Sequence, residues 1–137
     1  RWANGDNYVG EWHQGSQNGR GRQTYLNRAG EQVQVYDGEW SRGVWHGLGM
    51  HVLQGGAVYK GCFKGGKRHG QGTYTWPQGD EYEGQWIANK RGGRGVLRQK
   101  EGGLMAGVWR EGRFVEGYFV PRGAGKTVLY RRYNRQG

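Results

Sequence analysis

An aromatic residue, a glycine and a second aromatic residue recur at the same offsets four times along this chain. The four copies are Tyr8-Gly10-Trp12, Tyr36-Gly38-Trp40, Tyr59-Gly61-Phe63 and Tyr82-Gly84-Trp86. Successive tyrosines are 28, 23 and 23 residues apart, and a pair of glycines follows each copy. Self-similarity at such a period predicts a repeat protein, in which each copy is one supersecondary unit.

Two partial copies extend the array at its ends. Met105, Gly107 and Trp109 follow the fourth copy at the expected spacing and form a fifth, degenerate copy. Residues 2–8 have the same layout as residues 76–82, so we expect the chain to begin inside another copy and to be a piece of a longer array. We therefore predict a repeat domain over residues 1–116 and a basic C-terminal cap or tail over residues 117–137.

Each copy is predicted to form a β-hairpin. Tyr59, Gly61 and Phe63 are two residues apart, and period two is typical of a strand that presents one set of side chains to one face. The glycine-rich, charged residues 64–69 are expected to form the hairpin loop, and residues 77–80 a turn into the next copy. In the first copy that turn falls at residues 27–30, and the five residues that follow should make its hairpin protrude. The predicted fold is all-β, with ten strands.

The composition favours a thin sheet over a thick globular core. Only 34% of the chain is hydrophobic, while 30 of its 137 residues are glycine and 14% are aromatic. Glycines on a neighbouring strand, such as Gly70 and Gly72, leave room for an aromatic ring to lie flat across the sheet. The single Cys62 excludes an internal disulfide. Burial is therefore expected to come from rings that lie over glycines.

These residues resemble the MORN repeat, whose pattern is Tyr-x-Gly-x-Trp or Phe, then a glycine, then His-Gly-x-Gly. The third copy matches this pattern in full at Tyr59, Gly61, Phe63, Gly66, His69, Gly70 and Gly72. The resemblance covers most of the chain. It implies an elongated single-layer antiparallel sheet of stacked hairpins, in agreement with the strands predicted from residue spacing.

The resemblance also implies a non-catalytic role. MORN arrays similar to this one position or dimerise proteins in cytoskeletal collars, flagellar radial spokes and junctional membrane scaffolds, and as accessory segments of lipid kinases and lysine methyltransferases. We therefore expect an intracellular scaffold, in the cytoplasm, on the cytoskeleton or in an organelle, that binds a protein partner or a second copy of itself. The partner is expected to lie along an exposed aromatic groove formed by Tyr8, Trp12, Tyr36, Trp40, Tyr59, Phe63, Tyr82 and Trp86.

The last, irregular part of the array is the most apolar neighbourhood of the chain. Val108, Phe114, Phe119 and Val120 lie in it. Repeat arrays need terminal caps, and these residues could form one. An apolar patch that nothing covers usually marks an interface instead. The sequence leaves a cap and a terminal dimer or partner interface as alternatives.

The net charge of +10 points to anionic partners. Residues 117–137 contain no acid, and their basic residues include Arg122, Lys126, Arg131, Arg132 and Arg135. Such a segment could bind anionic phospholipids or phosphoinositides by charge, or RNA by charge and stacking. The plainer alternative is a solvated tail, or a segment that orders only against a protein neighbour.

No set of residues predicts an active site, a cofactor or a small-molecule substrate. Residues 123–127, Gly-Ala-Gly-Lys-Thr, resemble the end of a phosphate-binding loop, but Val120 stands where the motif requires its first glycine. His46 and His69 occupy the same position in successive copies, where we expect a loop hydrogen bond and no metal site. Glutamates at positions 11, 39 and 83 are expected to pair with arginines on neighbouring strands.

Overall fold

The computed structural model describes residues 6–123 and 125–131, and these residues form one open antiparallel sheet of eleven strands. Every strand pairs with its neighbours in chain order. The strands are β1 (Asn7–His13), β2 (Ser16–Leu26), β3 (Gln32–Ser41), β4 (Val44–Val52), β5 (Val58–Lys64), β6 (Lys67–Thr75), β7 (Glu81–Ile87), β8 (Lys90–Arg98), β9 (Leu104–Arg110), β10 (Arg113–Val120) and β11 (Val128–Arg131). The prediction of an all-β, single-layer fold is confirmed. In the described part of the chain, no helix is long and apolar enough to cross a membrane.

The hairpins close through two-residue turns, which are tighter than the sequence suggested. In the third repeat, Gly65 and Gly66 have φ values of 58° and 80°. Positive φ at both central residues is characteristic of a type I′ turn, whose twist matches the twist of the flanking strands. The six-residue loop predicted over residues 64–69 is therefore wrong, because Arg68 and His69 belong to β6.

The turns between repeats lie where the sequence placed them. In the third repeat, the amide of Gly79 donates to the carbonyl of Trp76 at 2.9 Å. In the first repeat, the amide of Gly30 donates to the carbonyl of Asn27 at 3.0 Å. The strands on either side of the turn at residues 27–30, β2 and β3, contain 11 and 10 residues and are the longest in the sheet. The longer first hairpin is thus confirmed.

The repeat tyrosines lie flat over glycines, as expected. A Cβ atom added at Gly72 would overlap the ring of Tyr59, and one added at Gly61 would meet the backbone of Gly72. Gly70 has a different role from the one predicted, because its neighbour is Cys62 on the other side of the sheet. Its φ of 98° is the reason for glycine at that position.

Each even-numbered strand of the first four repeats contains a bulge. The bulges explain the positive φ values of Gly19, Gly47, Gly70 and Gly93. In the third repeat Gly61 pairs with Gly72, but Phe63 pairs with Arg68, so β6 has two extra residues in this interval. The bulge frees a backbone amide for another acceptor. In the second repeat, the carboxylate of Glu39 accepts that hydrogen bond from Leu48 at 2.7 Å.

This arrangement corrects the predicted role of two of the three repeat glutamates. Glu11 accepts a hydrogen bond from the amide of Arg20 at 2.6 Å, as Glu39 does from its own neighbouring strand. Glu83 lies at a different offset from its tyrosine and pairs with Arg98 at 3.1 Å, as predicted. Glu11 and Glu39 therefore have a structural role in the bulge.

The eleventh strand comes from the segment that the sequence assigned to a basic cap or tail. Val128 pairs with Phe119, and Leu129 pairs with Tyr118. The ring of Tyr130 stacks on that of Phe114, with centroids 5.1 Å apart. The boundary predicted at residue 116 falls inside β10, so at least residues up to 131 continue the sheet.

Candidate functional site

The rings of the repeat motif form the core of the protein on one side of the sheet, which we call the tyrosine face. Tyr36, Tyr59 and Tyr82 are fully buried. The second aromatic of each motif contacts the tyrosine edge to face, as in Tyr59 and Phe63, whose centroids are 5.0 Å apart. The next repeat contributes a further ring, Trp86, at 5.4 Å. Such edge-to-face pairs add to the stabilisation that burial provides.

This burial corrects the expectation of an exposed aromatic groove. Seven of the eight rings assigned to that groove are less than a tenth exposed, namely Tyr8, Tyr36, Trp40, Tyr59, Phe63, Tyr82 and Trp86. Trp12, with 54% of its surface exposed, is the exception. The buried rings are a structural core, and a partner would have to contact the side chains that lie above them.

Polar groups of these buried rings are satisfied by backbone carbonyls. The hydroxyl of Tyr59 donates to Cys62 at 2.8 Å, and the other three repeat tyrosines make the same bond to the third residue after them. The indole of Trp86 donates to the carbonyl of Gly72 at 3.1 Å. Burial raises the pKa of Tyr59, and raises that of Tyr82 to about 12. These phenols therefore stay protonated donors at neutral pH.

The ninth residue after each repeat tyrosine lies on the even-numbered strand of the hairpin, and we call it the cover position. Its occupants are Gln17, Trp45, Arg68 and Arg91, and Phe114 follows Met105 at the same distance. In the second repeat, the indole of Trp45 lies parallel to the ring of Tyr36, with centroids 4.5 Å apart and 3° between the planes. The cover residue thus shields the tyrosine from solvent in a sheet that has no second layer.

Arginine takes over this shielding in the third and fourth repeats. The guanidinium carbon of Arg68 lies 5.9 Å from the ring centroid of Tyr59, 5.2 Å from that of Tyr74 and 5.0 Å from that of Trp86. Arg91 lies 5.8 Å from the centroid of Tyr82 and 4.8 Å from that of Trp109. These distances are typical of cation–π contacts.

Cover residues also connect neighbouring repeats. The carbonyl of Arg68 accepts a hydrogen bond from the amide of Asn89, in the turn of the next hairpin, at 2.9 Å. Its guanidinium Nη2 donates to the carbonyl of Asn89 at 2.9 Å. One repeat further, Nη2 of Arg91 donates to the carbonyl of Gly112 at 2.8 Å. Both guanidinium groups are therefore held in fixed positions on the tyrosine face.

His51 is a buried titratable group on the same face. Only 8% of its surface is exposed. Its Nε2 lies 2.8 Å from Oε1 of Gln34, and its ring lies 4.5 Å from that of Trp45. Burial, with a smaller contribution from the charge of Arg68, lowers the pKa of His51 to about 4. His51 is accordingly neutral at pH 7.

Comparison with known protein families identifies the array. Residues 8–27, 36–58, 59–81 and 82–104 each match the family described as MORN repeat, and together these segments make up more than half of the chain. The chain belongs to the MORN-repeat family. MORN repeats are in general non-catalytic modules that mediate interactions with proteins or membrane lipids. No curated protein matches this chain significantly.

The four residues predicted as a terminal interface of the MORN array lie on two faces. Phe114 is buried on the tyrosine face, where its ring lies 5.1 Å from that of Trp109. Phe119 lies on the same face, whereas Val108 and Val120 lie on the opposite face. The structure therefore does not bring the four side chains together as one patch.

The opposite face does carry an apolar depression at this end of the array. Its volume is ≈ 530 Å³, and Val108, Tyr118 and Leu129 are among the residues that line it. Tyr118 is 59% exposed and Leu129 is 67% exposed. Val108, Tyr118 and Leu129 are the residues available to a terminal contact on this face, which stays a prediction.

The basic residues predicted to bind anions are partly paired with acids from earlier in the chain. Arg122 lies 2.7 Å from Glu101, and Arg131 lies 3.1 Å from Glu116. Lys126 is exposed. Arg132 and Arg135 lie outside the described residues. Exposed ion pairs contribute little free energy, so an anionic ligand could still compete for these arginines.

The repeat histidines have the expected structural role where it can be traced. Nδ1 of His69 accepts a hydrogen bond from the amide of Ala88 at 3.2 Å, which links two hairpins. Among residues 6–123 and 125–131, no group of three or more potential metal ligands is present. Residues 125–127, part of the segment that resembles the end of a phosphate-binding loop, are followed by strand β11.

Sequence reasoning missed the cover position, which is the main accessible feature of the tyrosine face. The predicted hairpin loop over residues 64–69 includes Arg68, and the repeat pattern predicts no role for Trp45 or Arg91. The signal was present, because all three residues lie nine positions after a repeat tyrosine. The chemical difference between tryptophan and arginine concealed it, since both side chains can cover a ring but only one is apolar.

Proposed function

We propose that this MORN array is a non-catalytic scaffold module whose tyrosine face docks a protein partner. The observation that supports this proposal is a set of partly buried aromatic side chains that pack against the buried core, namely Tyr25, Trp45, Tyr74 and Trp76. Tryptophan, tyrosine and arginine are the residues that contribute most to binding free energy at protein interfaces. The partner therefore contacts the cover residues and their aromatic neighbours.

The buried core makes this face rigid before a partner arrives. Trp45 is fixed between Tyr36 at 4.5 Å and His51 at 4.5 Å. An open depression of ≈ 400 Å³ lies beside it and is lined by Tyr25 and Gln17. A side chain from the partner can enter this depression without rearrangement of the sheet, and preorganised surfaces lose less entropy on binding.

A pair of variants on one strand tests the proposal. Proteins captured by the immobilised array are identified, purified and titrated against the wild type, Trp45→Gln and Leu48→Gln. Glutamine already occupies the cover position of the first repeat as Gln17, and Leu48 is 59% exposed on the opposite face. We expect Trp45→Gln to lower the affinity for the purified partner at least about tenfold, as for an interface hot spot. Leu48→Gln should leave this affinity unchanged. Equal affinities for the two variants would place docking elsewhere.

Binding to anionic phospholipids or phosphoinositides is the second candidate, and the net charge of +10 favours it. Attachment that depends on charge weakens steeply with salt. Flotation with vesicles of phosphatidylcholine and phosphatidylserine distinguishes the two candidates. We expect detectable attachment at low salt, little at physiological salt, and a loss when Arg122, Lys126 and Arg131 are replaced by glutamine. Attachment that persists at physiological salt would put lipid binding first, and attachment to RNA instead would indicate the third alternative.

A further inference from the structure

Two arginines of the tyrosine face lack an acidic partner within residues 6–123 and 125–131. The ion pairs of this part of the chain involve Arg20, Arg98, Arg122 and Arg131, and not Arg68 or Arg91. Each of the latter two guanidinium groups makes a hydrogen bond to one backbone carbonyl through Nη2. Nε of Arg68 is buried without a hydrogen-bond partner. Two partly buried cations are thus held on this face without a counter-charge.

Leaving these charges uncompensated is costly. Burial lowers the pKa of Arg68 and of Arg91, because a guanidinium that loses water is less stable as a cation. The cation–π contacts offset part of this cost. A carboxylate would offset more, since charge-assisted hydrogen bonds to guanidinium are among the strongest in proteins. The face is therefore complementary to a ligand that brings negative charge.

The repeat fixes the spacing of the two cations. Arg68 and Arg91 are equivalent residues on β6 and β8, which are separated by one strand. Neighbouring strands lie about 4.8 Å apart, so the two guanidinium groups are about 10 Å apart along the array. A ligand that engages both needs two acidic groups at that distance, on one side.

The sheet itself determines which backbone conformation the ligand can adopt. Amides and carbonyls of β6, β7 and β8 are already paired within the sheet or, at the bulge, with a side chain such as Gln85, so a chain that lies across them gains no ladder of hydrogen bonds. A polyproline II segment needs none, and such segments dock on surfaces lined by aromatic rings. Tyr74 and Trp76 supply these rings beside the two arginines. Polyproline II has three residues per turn and a rise of about 3.1 Å, so side chains at i and i+3 lie about 9 Å apart on one side.

We propose that the tyrosine face binds a proline-rich acidic peptide in the polyproline II conformation, with carboxylates at i and i+3 on Arg68 and Arg91. This inference rests on the proposed docking function and specifies the chemistry of the partner.

Synthetic peptides of equal length test the spacing. One contains Glu-Pro-Pro-Glu, a second contains Glu-Pro-Glu-Pro with the same charge, and a third contains Gln-Pro-Pro-Gln. A fourth, alanine-rich and helical, carries glutamates at i and i+7, about 10 Å apart on a helix. Affinities are measured by calorimetry on the full chain. We expect the first peptide to bind at least about tenfold more tightly than the others, because each lost charged hydrogen bond costs that much or more.

Charge variants test which residues hold the peptide. Arg68→Gln and Arg91→Gln place at the cover position the residue that Gln17 provides in the first repeat. Arg94→Gln is the control. It removes one positive charge from β8, the strand of Arg91, but on the opposite face, where Arg94 is exposed. Circular dichroism and thermal melting establish that each variant is folded. We expect either cover variant to lose about tenfold in affinity for Glu-Pro-Pro-Glu, and Arg94→Gln to lose less than about twofold.

The outcomes separate this inference from the proposed function. Equal affinities for the two glutamate–proline peptides, or tighter binding of the helical peptide, would overturn the assigned ligand. Displacement of the peptide by phosphatidylserine vesicles that bind through Arg68 and Arg91 would also overturn the assigned ligand. A captured partner that depends on Trp45 but not on either arginine would leave the docking function intact and end the acidic-peptide proposal.

Discussion

The two faces of this sheet share every strand but follow different rules. On β7, Tyr82 and Trp86 are 0% and 4% exposed on the tyrosine face, while Ile87 is 57% exposed on the opposite face. The residue directly after each repeat tyrosine changes from Val9 to Asp37, Lys60 and Glu83 along the array. The tyrosine face repeats its buried rings, whereas the exposed side chains of the opposite face differ from repeat to repeat. One face of a single-layer sheet can therefore serve as the core, and the other is free to vary.

The tyrosine face achieves this without a second layer because it is built in two levels. The repeat tyrosine lies directly on glycines such as Gly61 and Gly72, and a cover residue lies on the tyrosine. Glycine removes the side chain that would hold the ring off the sheet. The flat indole or guanidinium above then excludes water. The opposite face has neither level, and most of its side chains are at least partly exposed, although Val35 is only 4% exposed.

The largest expected difference between the faces is in the cost of truncation. Tyr59→Ala should lower the free energy of unfolding by about 3 to 5 kcal/mol, because it removes a fully buried ring and its hydrogen bond. Lys60→Ala, the adjacent exposed residue, should change it by less than about 0.5 kcal/mol. Urea unfolding followed by circular dichroism measures both. Similar values for the two variants would contradict a one-sided core.

Alanine substitutions at two adjacent residues, one on each face, should also differ in their effect on stability. Gly72→Ala places a Cβ against the ring of Tyr59, and overpacking of this kind costs about 1 to 3 kcal/mol. Thr73→Ala, one residue along, removes atoms from the opposite face and should have a small effect. Denaturant midpoints give the comparison. A neutral Gly72→Ala would show that the tyrosine does not need the glycine beneath it.

Acid should weaken the tyrosine face through His51. Its pKa is about 4 in the folded state and 6.5 in the unfolded state, so the unfolded state binds the proton more tightly. Stability is then highest above pH 6.5 and is lost as the pH falls towards 4, by about 3 kcal/mol from this residue. His51→Gln removes the titration, and the difference in pH dependence between variant and wild type isolates it. Parallel curves would mean that His51 is not buried.

A smaller effect is expected from the indole hydrogen bonds of the core. Trp86→Phe keeps most of the ring, as Phe63 does in the previous repeat, but leaves the carbonyl of Gly72 without its donor. The expected loss is about 1 kcal/mol. Thermal melting monitored at several wavelengths is sufficient to detect it. A loss close to that of Tyr59→Ala would indicate that shape, and not the hydrogen bond, governs this position.

The smallest effect on stability is expected on the apolar end of the opposite face. Tyr118→Asp changes an exposed side chain, so unfolding should shift by less than about 0.5 kcal/mol. If this end is an interface, the same variant abolishes self-association or partner capture in light scattering and titration. Phe119→Asp, on the tyrosine face, is the matched comparison. A lower melting temperature with unchanged mass for both variants would identify a cap.

The sequence predicted the sheet because spacing carries most of the information in a repeat. Tyrosine and glycine at period two determine which side chains share a face, and Asn27 and Gly79 mark turns. The bulges were not predictable from spacing, because they shift the register between Gly61 and Phe63 and bring Arg68 opposite a ring. The predicted exposed aromatic groove is wrong for this reason, because seven of its eight rings form the buried core.

The C-terminal strand was missed for a different reason. Residues 121–127 are rich in glycine and basic residues, which is typical of a tail, and the four residues of β11 are too few for a clear alternation. Their pairing depends on the exposed edge of β10, which no local pattern reveals. The burial of the aromatic rings and the formation of β11 therefore both depend on contacts between strands, which local sequence patterns do not reveal.

Hydroxyl-radical footprinting with and without the purified partner most directly tests the division between the buried tyrosines and the partly buried rings that pack against them. In the free protein, Trp45, Tyr74 and Trp76 should react, while Tyr36, Tyr59 and Tyr82 should not, because the latter three are fully buried. Addition of the partner should protect the first three and leave Tyr118 reactive. Reaction of Tyr36, Tyr59 and Tyr82 in the free protein, or protection of Tyr118 alone by the partner, would contradict this account.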